Sequence, residues 1–362
     1  MSIYQMPWRL VHNRVRGQGG REIDRFRGIV PPVDDDTGSE SWIGSVTRTA
    51  KATDACPTGC AEVALPDGRR MYLFEAIAIN PEAILGPEHV ARHGHKLGVL
   101  VKYLDAQHQY ILQAHPTRPF AKQMWDSDFG KEESWYVIGV RDDVPEPPYF
   151  ILGFKEGVTR ESFREAVMRG DSLESLEQMC HKIPVKVGDA AFIGGGVPHA
   201  LGQGCLVIEV QEPSDITVVP ITQAEIQRRY GKRNTVDDEL YNKKMLGAFE
   251  YDGCSYEEAL RRYMIPRKAI RSGNWGREDW IIGPSLTDYF SFSQADICGT
   301  MPVRNTGCPQ IAIVLRGEGA FHCERGSIAL HQADELFLPY DIPGAVIEGD
   351  ISVVFCHPEG AK

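Results

Sequence analysis

Short apolar or alternating runs, broken by Gly, Pro and Asp, recur in two blocks of this 362-residue chain. The first block spans about 40–220 and holds MYLFEAIAI, LGVLVKYLDA, QYILQAH, SWYVIGV, YFILGF, AAFIGG and CLVIEVQ. The second spans about 278–358 and holds DWIIG, DYFSFSQADI, QIAIVLRG, GAFHC, SIALH, ELFLP and ISVVFCHP. Runs of this length and punctuation are strands of barrels or sandwiches. The blocks are alike in kind, so the expectation is an all-β dominated chain with two β-barrels of similar design. Helix periodicity falls elsewhere. TRESFREAVMRGDSLESLEQMC places Phe163, Ala166, Val167, Leu173, Leu176 and Met179 at three-to-four spacing, with Thr159 and Asp171 as expected N-caps. That is a helical insertion in the first barrel. Residues 222–269 again read as helix and serve as a connector. The expected division is 1–221 for the first barrel, 222–275 for the connector and 276–362 for the second barrel.

A net charge of -11 argues against a nucleic-acid or anionic-membrane surface. The first residues lack the apolar core of a signal peptide, and no run of about 18 apolar residues marks a membrane span. Nine cysteines, odd in number and without framework spacing, suggest reduced thiols in a cytoplasm. Cys56 and Cys60 in CPTGC have no second pair at zinc-finger spacing, so a structural role is expected. A small-molecule substrate is the implied partner, with a homo-oligomer left open.

The densest polar cluster in strand-like surroundings is KYLDAQHQYILQAHPTRPFAKQMW. Gln113 and His115 are two apart, and in a strand such residues share a face. Glu133 follows 18 residues after His115 and starts the next strand, which can pair beside the first. His199 follows a Gly-Asp turn, a strand and a glycine-rich turn. Two imidazoles, a carboxylate and an amide oxygen suit a borderline divalent metal, zinc before others. One ion per chain is expected, held by Gln113, His115, Glu133 and His199, with room for a substrate oxygen.

The spacing of Gly188, Gly194, Gly196 and His199 resembles the second motif of the cupin barrel, with Gly194 in place of the usual Pro. SESWIG, VLVKYLDA, QAHP, GKEESWYVI, the VPHALGQG stretch and IEVQEPSD resemble the type I mannose-6-phosphate isomerases, in their short bacterial form. The likeness covers about 39–215 and continues more weakly to the C-terminus. It implies two cupin jelly rolls with a helical part, zinc on those same four residues, and aldose–ketose isomerisation of a sugar phosphate. It also matches Lys102, Lys131 and Glu209 to site positions. The implied roles are Glu209 or a metal-bound water as base, and Lys131 as the polarising or protonating group. The alternative readings are a solvated turn lysine for Lys131 and an ordinary ion-pair partner for Glu209. Asp215 is expected to cap a turn.

Two departures stand out. Where the family has a Ser that helps hold the phosphate, this chain has Ile111; where it has an Arg, this chain has Val219. Arg118, Lys122, Arg228 and Arg229 are the cations that could substitute. The N-terminal VRGQGGREIDRFRG also replaces the family's W-G-G step. In the second barrel, Gly344 stands where a ligand histidine would be, and His322 and His331 are expected at the surface or in packing. Three functions remain open: a zinc-dependent sugar-phosphate isomerase, a related enzyme for an unphosphorylated or different sugar, and a metal-containing sugar-binding protein.

Overall fold

The computed structural model describes residues 3–30, 35, 38–231 and 235–361. Strand outweighs helix, and the chain forms two compact units that interleave along the sequence. One unit comprises 1–105, 206–213 and 266–362; the other comprises 106–205 and 214–265.

The first unit is built on a large antiparallel sheet. Its strand order is Lys268–Gly273, Gly276–Ile282, Phe290–Pro302, Val346–Pro358, Gln310–Cys323, Glu335–Leu338, Trp8–Leu10, Glu62–Ala64 and Arg70–Tyr72. Gly326–His331 pairs onto Gln310–Cys323. Alternation sets the faces: Ile351, Val353 and Phe355 point into one apolar cluster with Ala295, Ile297, Ala312 and Val314. The same unit holds Glu40–Ile43 and Leu100–Asp105 as antiparallel neighbours, with Leu206–Gln211 on the other side of Leu100–Asp105.

The second unit pairs Glu133–Val140 with Ala190–Ile193, and Tyr149–Phe154 with both Cys180–Pro184 and His199–Leu201. Its core joins Phe154, Phe163 and Leu176 to Met245, Leu246 and Phe249. The helices Arg160–Arg169 and Asp238–Gly247 therefore contribute to the same apolar centre.

Three local expectations are corrected. MYLFEAIAI folds as a short strand, Arg70–Tyr72, followed by a helix, Leu73–Ile79. The helix buries Leu73, Ala76 and Ile77 at helical spacing, and Glu75 accepts a hydrogen bond from the Tyr72 N–H. QYILQAH is no strand; only Gln113 and Ala114 form isolated bridges, because Pro116 and Pro119 end the ladder. Thr159 caps its helix as expected, but the second cap is Ser172, whose hydroxyl accepts from the Ser175 N–H. Asp171 pairs with Arg169 instead.

Candidate metal centre

Three chain segments meet in the second unit. Gln113 and His199 exchange backbone hydrogen bonds at 2.9 and 2.8 Å, an isolated antiparallel bridge. Ala114 does the same with Val218. Glu133 opens its strand opposite Ile193. It pairs there rather than beside Gln113 and His115, because a helix, Arg118–Trp125, intervenes.

Glycines allow the close approach. After Ile193 the chain turns through Gly194–Gly196, and the Gly196 N–H donates to the His115 carbonyl at 2.7 Å. Gly196 has φ +93°, and a Cβ there would lie 2.4 Å from the Glu250 side chain. A Cβ at Gly130 would lie 2.7 Å from the Pro116 oxygen. The Lys131 N–H donates to that same oxygen at 3.1 Å. Gly130 thus lets Lys131 and Glu133 reach the neighbourhood of His115. Neither Gly130 nor the carbonyls named below stood out in the sequence, although the GGG run was visible.

His115, Glu133 and His199 are fully buried and place donor atoms within 4.8 Å of one another. Among the described residues this is the one such cluster of His, Cys, Asp and Glu. His115 Nε2 is 3.2 Å from Glu133 Oε2, and His199 Nε2 is 3.3 Å from Oε1. Each imidazole is anchored through its other nitrogen. His115 Nδ1–H donates to the Ile216 carbonyl at 2.9 Å, and His199 Nδ1–H to the Val197 carbonyl at 2.8 Å. A carbonyl only accepts, so both Nδ1 atoms carry the proton. In the neutral rings both Nε2 lone pairs then face the cluster, the tautomer a metal requires. Burial, then the Lys131 charge, lowers the His115 pKa to about 3, so this ring is neutral at pH 7. Burial alone would raise the Glu133 pKa, but the adjacent Lys131 charge leads the opposing influences and the carboxyl sits well below its usual range.

Both Glu133 oxygens are buried without a hydrogen bond from a described residue. An ionised carboxylate in that state is costly unless opposite charge stands close. Gln113 Nε2 lies 3.3 Å from His199 Nε2. A half-turn of that amide brings Oε1 to the same place. A buried carboxylate short of hydrogen bonds, two inward-facing imidazole nitrogens, one of them accepting from Lys131 here, and an amide fit a divalent cation. Trp135, two residues after Glu133 on the same strand face, meets the His199 ring edge-on at 5.5 Å.

Lys131 is buried, not a solvated turn residue. Its Nζ donates to His115 Nε2 at 2.7 Å and stands 2.9 Å from Glu133 Oε2. Lys102 and Glu209 lie in the first unit and pair with each other at 2.7 Å, both buried. Gln211, absent from the sequence reading, accepts a second bond from Lys102 at 2.6 Å. Ile111 is half-exposed and Val219 partly buried. Lys122 pairs with Asp126 and Asp128, and Arg228 and Arg229 both pair with Glu225. Arg118 stacks over Phe129. His331 is exposed and His322 half-exposed, the latter bonded to Ser327. All nine cysteines are free of disulfides, and Cys60 is buried.

The profile described as "Mannose-6-phosphate isomerase, cupin domain" matches residues 284–358. A probable mannose-6-phosphate isomerase of Bacillus subtilis (strain 168) is 36% identical over 280 residues, covering 72% of this chain and 75% of that protein. The chain belongs to the mannose-6-phosphate isomerase family. The crystal structure of the mannose 6-phosphate isomerase from Bacillus subtilis has the same fold, with TM-score 0.75, 23% identity, and coverage of 98% of this chain and 100% of that one. A zinc-bound mannose 6-phosphate isomerase superposes with TM-score 0.72 at 15% identity, covering 98% and 99%. For this family member the profile match lies outside the donor cluster at 113–199, so the centre rests on its own geometry. Among the described residues no helix is long and apolar enough to cross a membrane.

Proposed function

We propose that this protein is a zinc-dependent aldose–ketose isomerase that interconverts mannose 6-phosphate and fructose 6-phosphate. The carrying observation is the buried cluster itself: two imidazoles fixed as Nε2 donors around a carboxylate whose oxygens lack hydrogen bonds. Relatives bearing this activity in their names, one of them 36% identical, support the substrate. His115, Glu133, His199 and Gln113 would hold one zinc. Bound zinc supplies Lewis acidity, which favours the negative charge that develops on sugar oxygens as a proton moves between C2 and C1.

The protein's own residues set the conditions for that transfer. The carbonyls of Val197 and Ile216 lock the imidazoles, so the rings themselves need not turn when the site is loaded. Lys131, bonded to His115 and beside Glu133, holds a proton within the cluster and is assigned the polarising role. Glu209, with Lys102 as its partner, is assigned the base; Glu209→Gln, close in shape, is expected to lower kcat about 10²–10⁴-fold. We further assign the two strand-rich regions to two cupin jelly rolls, of which only the first bears metal. The free thiols suit a reducing cytoplasm.

Ile111 and Val219 favour a second reading, an isomerase for an unphosphorylated or different sugar. A phosphate dianion needs charge-assisted donors, which two aliphatic residues do not give. A side-by-side assay of mannose 6-phosphate, fructose 6-phosphate, free mannose and free fructose separates the two. Saturable turnover of the phosphorylated pair alone supports the first reading; turnover of the free sugars alone overturns it. His199→Ala is expected to lose zinc and activity together.

A further inference from the structure

We propose that the C-terminal strands carry a second binding site, for a compact oxyanion such as a phosphate or a carboxylate, held by Arg304 and His357. It lies in the first unit, apart in sequence from the metal ligands.

The inner face of the large sheet is apolar along most of its length. At one end it turns polar, with Glu278, Ser293, Gln310 and His357 all buried. Beside it, reached through Arg304 and Gln310, lies a small recess of about 30 Å³, lined also by Asn305, Phe321, Leu338 and Tyr340. Ile311 pairs with Cys356 and Ala312 with Phe355, so the same ladder puts Gln310 beside His357. Gln310 is held in place by donating to the Arg304 carbonyl at 3.0 Å. Arg304 stacks on Trp280 at 4.7 Å from the ring centroid, and His357 meets the same indole edge-on at 6.1 Å. The indole therefore links the two.

Both have unspent hydrogen-bonding capacity. His357 is 1% exposed, and neither ring nitrogen has a hydrogen-bond partner. Arg304 Nε and Nη2 are likewise buried without one. Leaving such groups unmet is costly, so they mark a place where another molecule belongs. The charge there is positive. Glu278 already accepts from Arg271 at 2.7 Å and from Ser293 at 2.8 Å, one bond to each oxygen. Arg304 Nε lies 3.4 Å from it, near enough to pair but not to hydrogen-bond. Two guanidinium groups thus face one carboxylate. Asp341 accepts from Asn305 at 3.5 Å. A guanidinium fork matches two oxygens of an oxyanion, and a neutral imidazole adds one N–H. Burial, then the Arg304 charge, lowers the His357 pKa to about 3, so the ring offers that single donor and not a cation.

The test is imidazole NMR on the full, metal-loaded chain, with the His357 signal assigned by its loss in His357→Phe. Inorganic phosphate is titrated in one arm and acetate in another. A saturable shift of the His357 signal in either arm is expected, and the responding arm names the anion. Arg304→Gln is expected to weaken that binding about tenfold or more while zinc content and turnover stay unchanged. Arg304→Lys, which keeps the charge but not the fork, serves if Arg304→Gln misfolds, and is also expected to bind more weakly. A His357 signal unmoved by both anions at tens of millimolar overturns the proposal. So does an affinity unchanged in the arginine variant.

Discussion

Lys131 shows what a residue's neighbours add to its identity. Two positions from Glu133 in sequence, its ammonium bonds to one donor atom of the candidate centre and flanks another. That positive charge opposes a divalent cation while supplying a proton. Lys131→Met keeps the stem and removes the charge, so zinc affinity is expected to rise about tenfold or more, and isomerase turnover to fall. Competition with a zinc chelator and a turnover assay check the two halves. His115, Glu133 and His199, which the fold brings together, and the proposed fourth ligand Gln113 stand out in the chain because their donor chemistry and the Gly spacing before His199 are local features. The Nδ1 anchors do not, since they are backbone carbonyls of Val197 and Ile216, and any residue has one. Gln211 was hidden for another reason: it joins Lys102 across 109 positions. In that buried trio, Lys102→Ala takes the ammonium away from Glu209 and Gln211. A loss of about 3–5 kcal/mol in urea unfolding is expected.

At the scale of elements, composition and period carried far. The strands Leu100–Asp105, Glu133–Val140, Tyr149–Phe154 and those of the C-terminal sheet from Gly276–Ile282 onward fall on runs visible in the chain, whereas Lys268–Gly273 forms a strand where the connector was expected. Thr159 is a helix cap by chemistry and by geometry; Thr159→Ala is expected to cost about 1 kcal/mol, read as a lowered urea midpoint. The helix Leu73–Ile79 escaped because a dense apolar run fits strand and helix alike, and the capping bond that decides it spans three residues. QYILQAH shows the reverse: its residue types suit a strand, yet the following prolines leave only a bridge. The turn at Gly130 matters most for the centre. A methyl there meets the Pro116 carbonyl, so Gly130→Ala is expected to push the Lys131–Glu133 segment away and reduce zinc content while the far-ultraviolet dichroism persists.

Over the whole molecule, the interleaving of the two units is the feature least visible in the chain. Residues 206–213 join one unit while their neighbours on both sides join the other. Such a division depends on long-range pairing, which local periodicity does not encode. Buried groups also set how the molecule answers to acid. Unfolded His357 titrates near 6.5, but in the fold its pKa is about 3, so between those values the unfolded chain binds the extra proton. Stability is therefore expected to fall as pH drops from about 6.5 toward 3, by up to about 1.4 kcal/mol per pH unit from this residue. Urea unfolding at several pH values checks this, and His357→Phe should flatten the slope.

The centre ties these scales together, and a titration addresses it most directly. Metal-free protein is given zinc in steps while mannose 6-phosphate turnover is followed. Turnover that starts near zero and levels off at one zinc per chain is the predicted result. Full turnover before any zinc is added would contradict it.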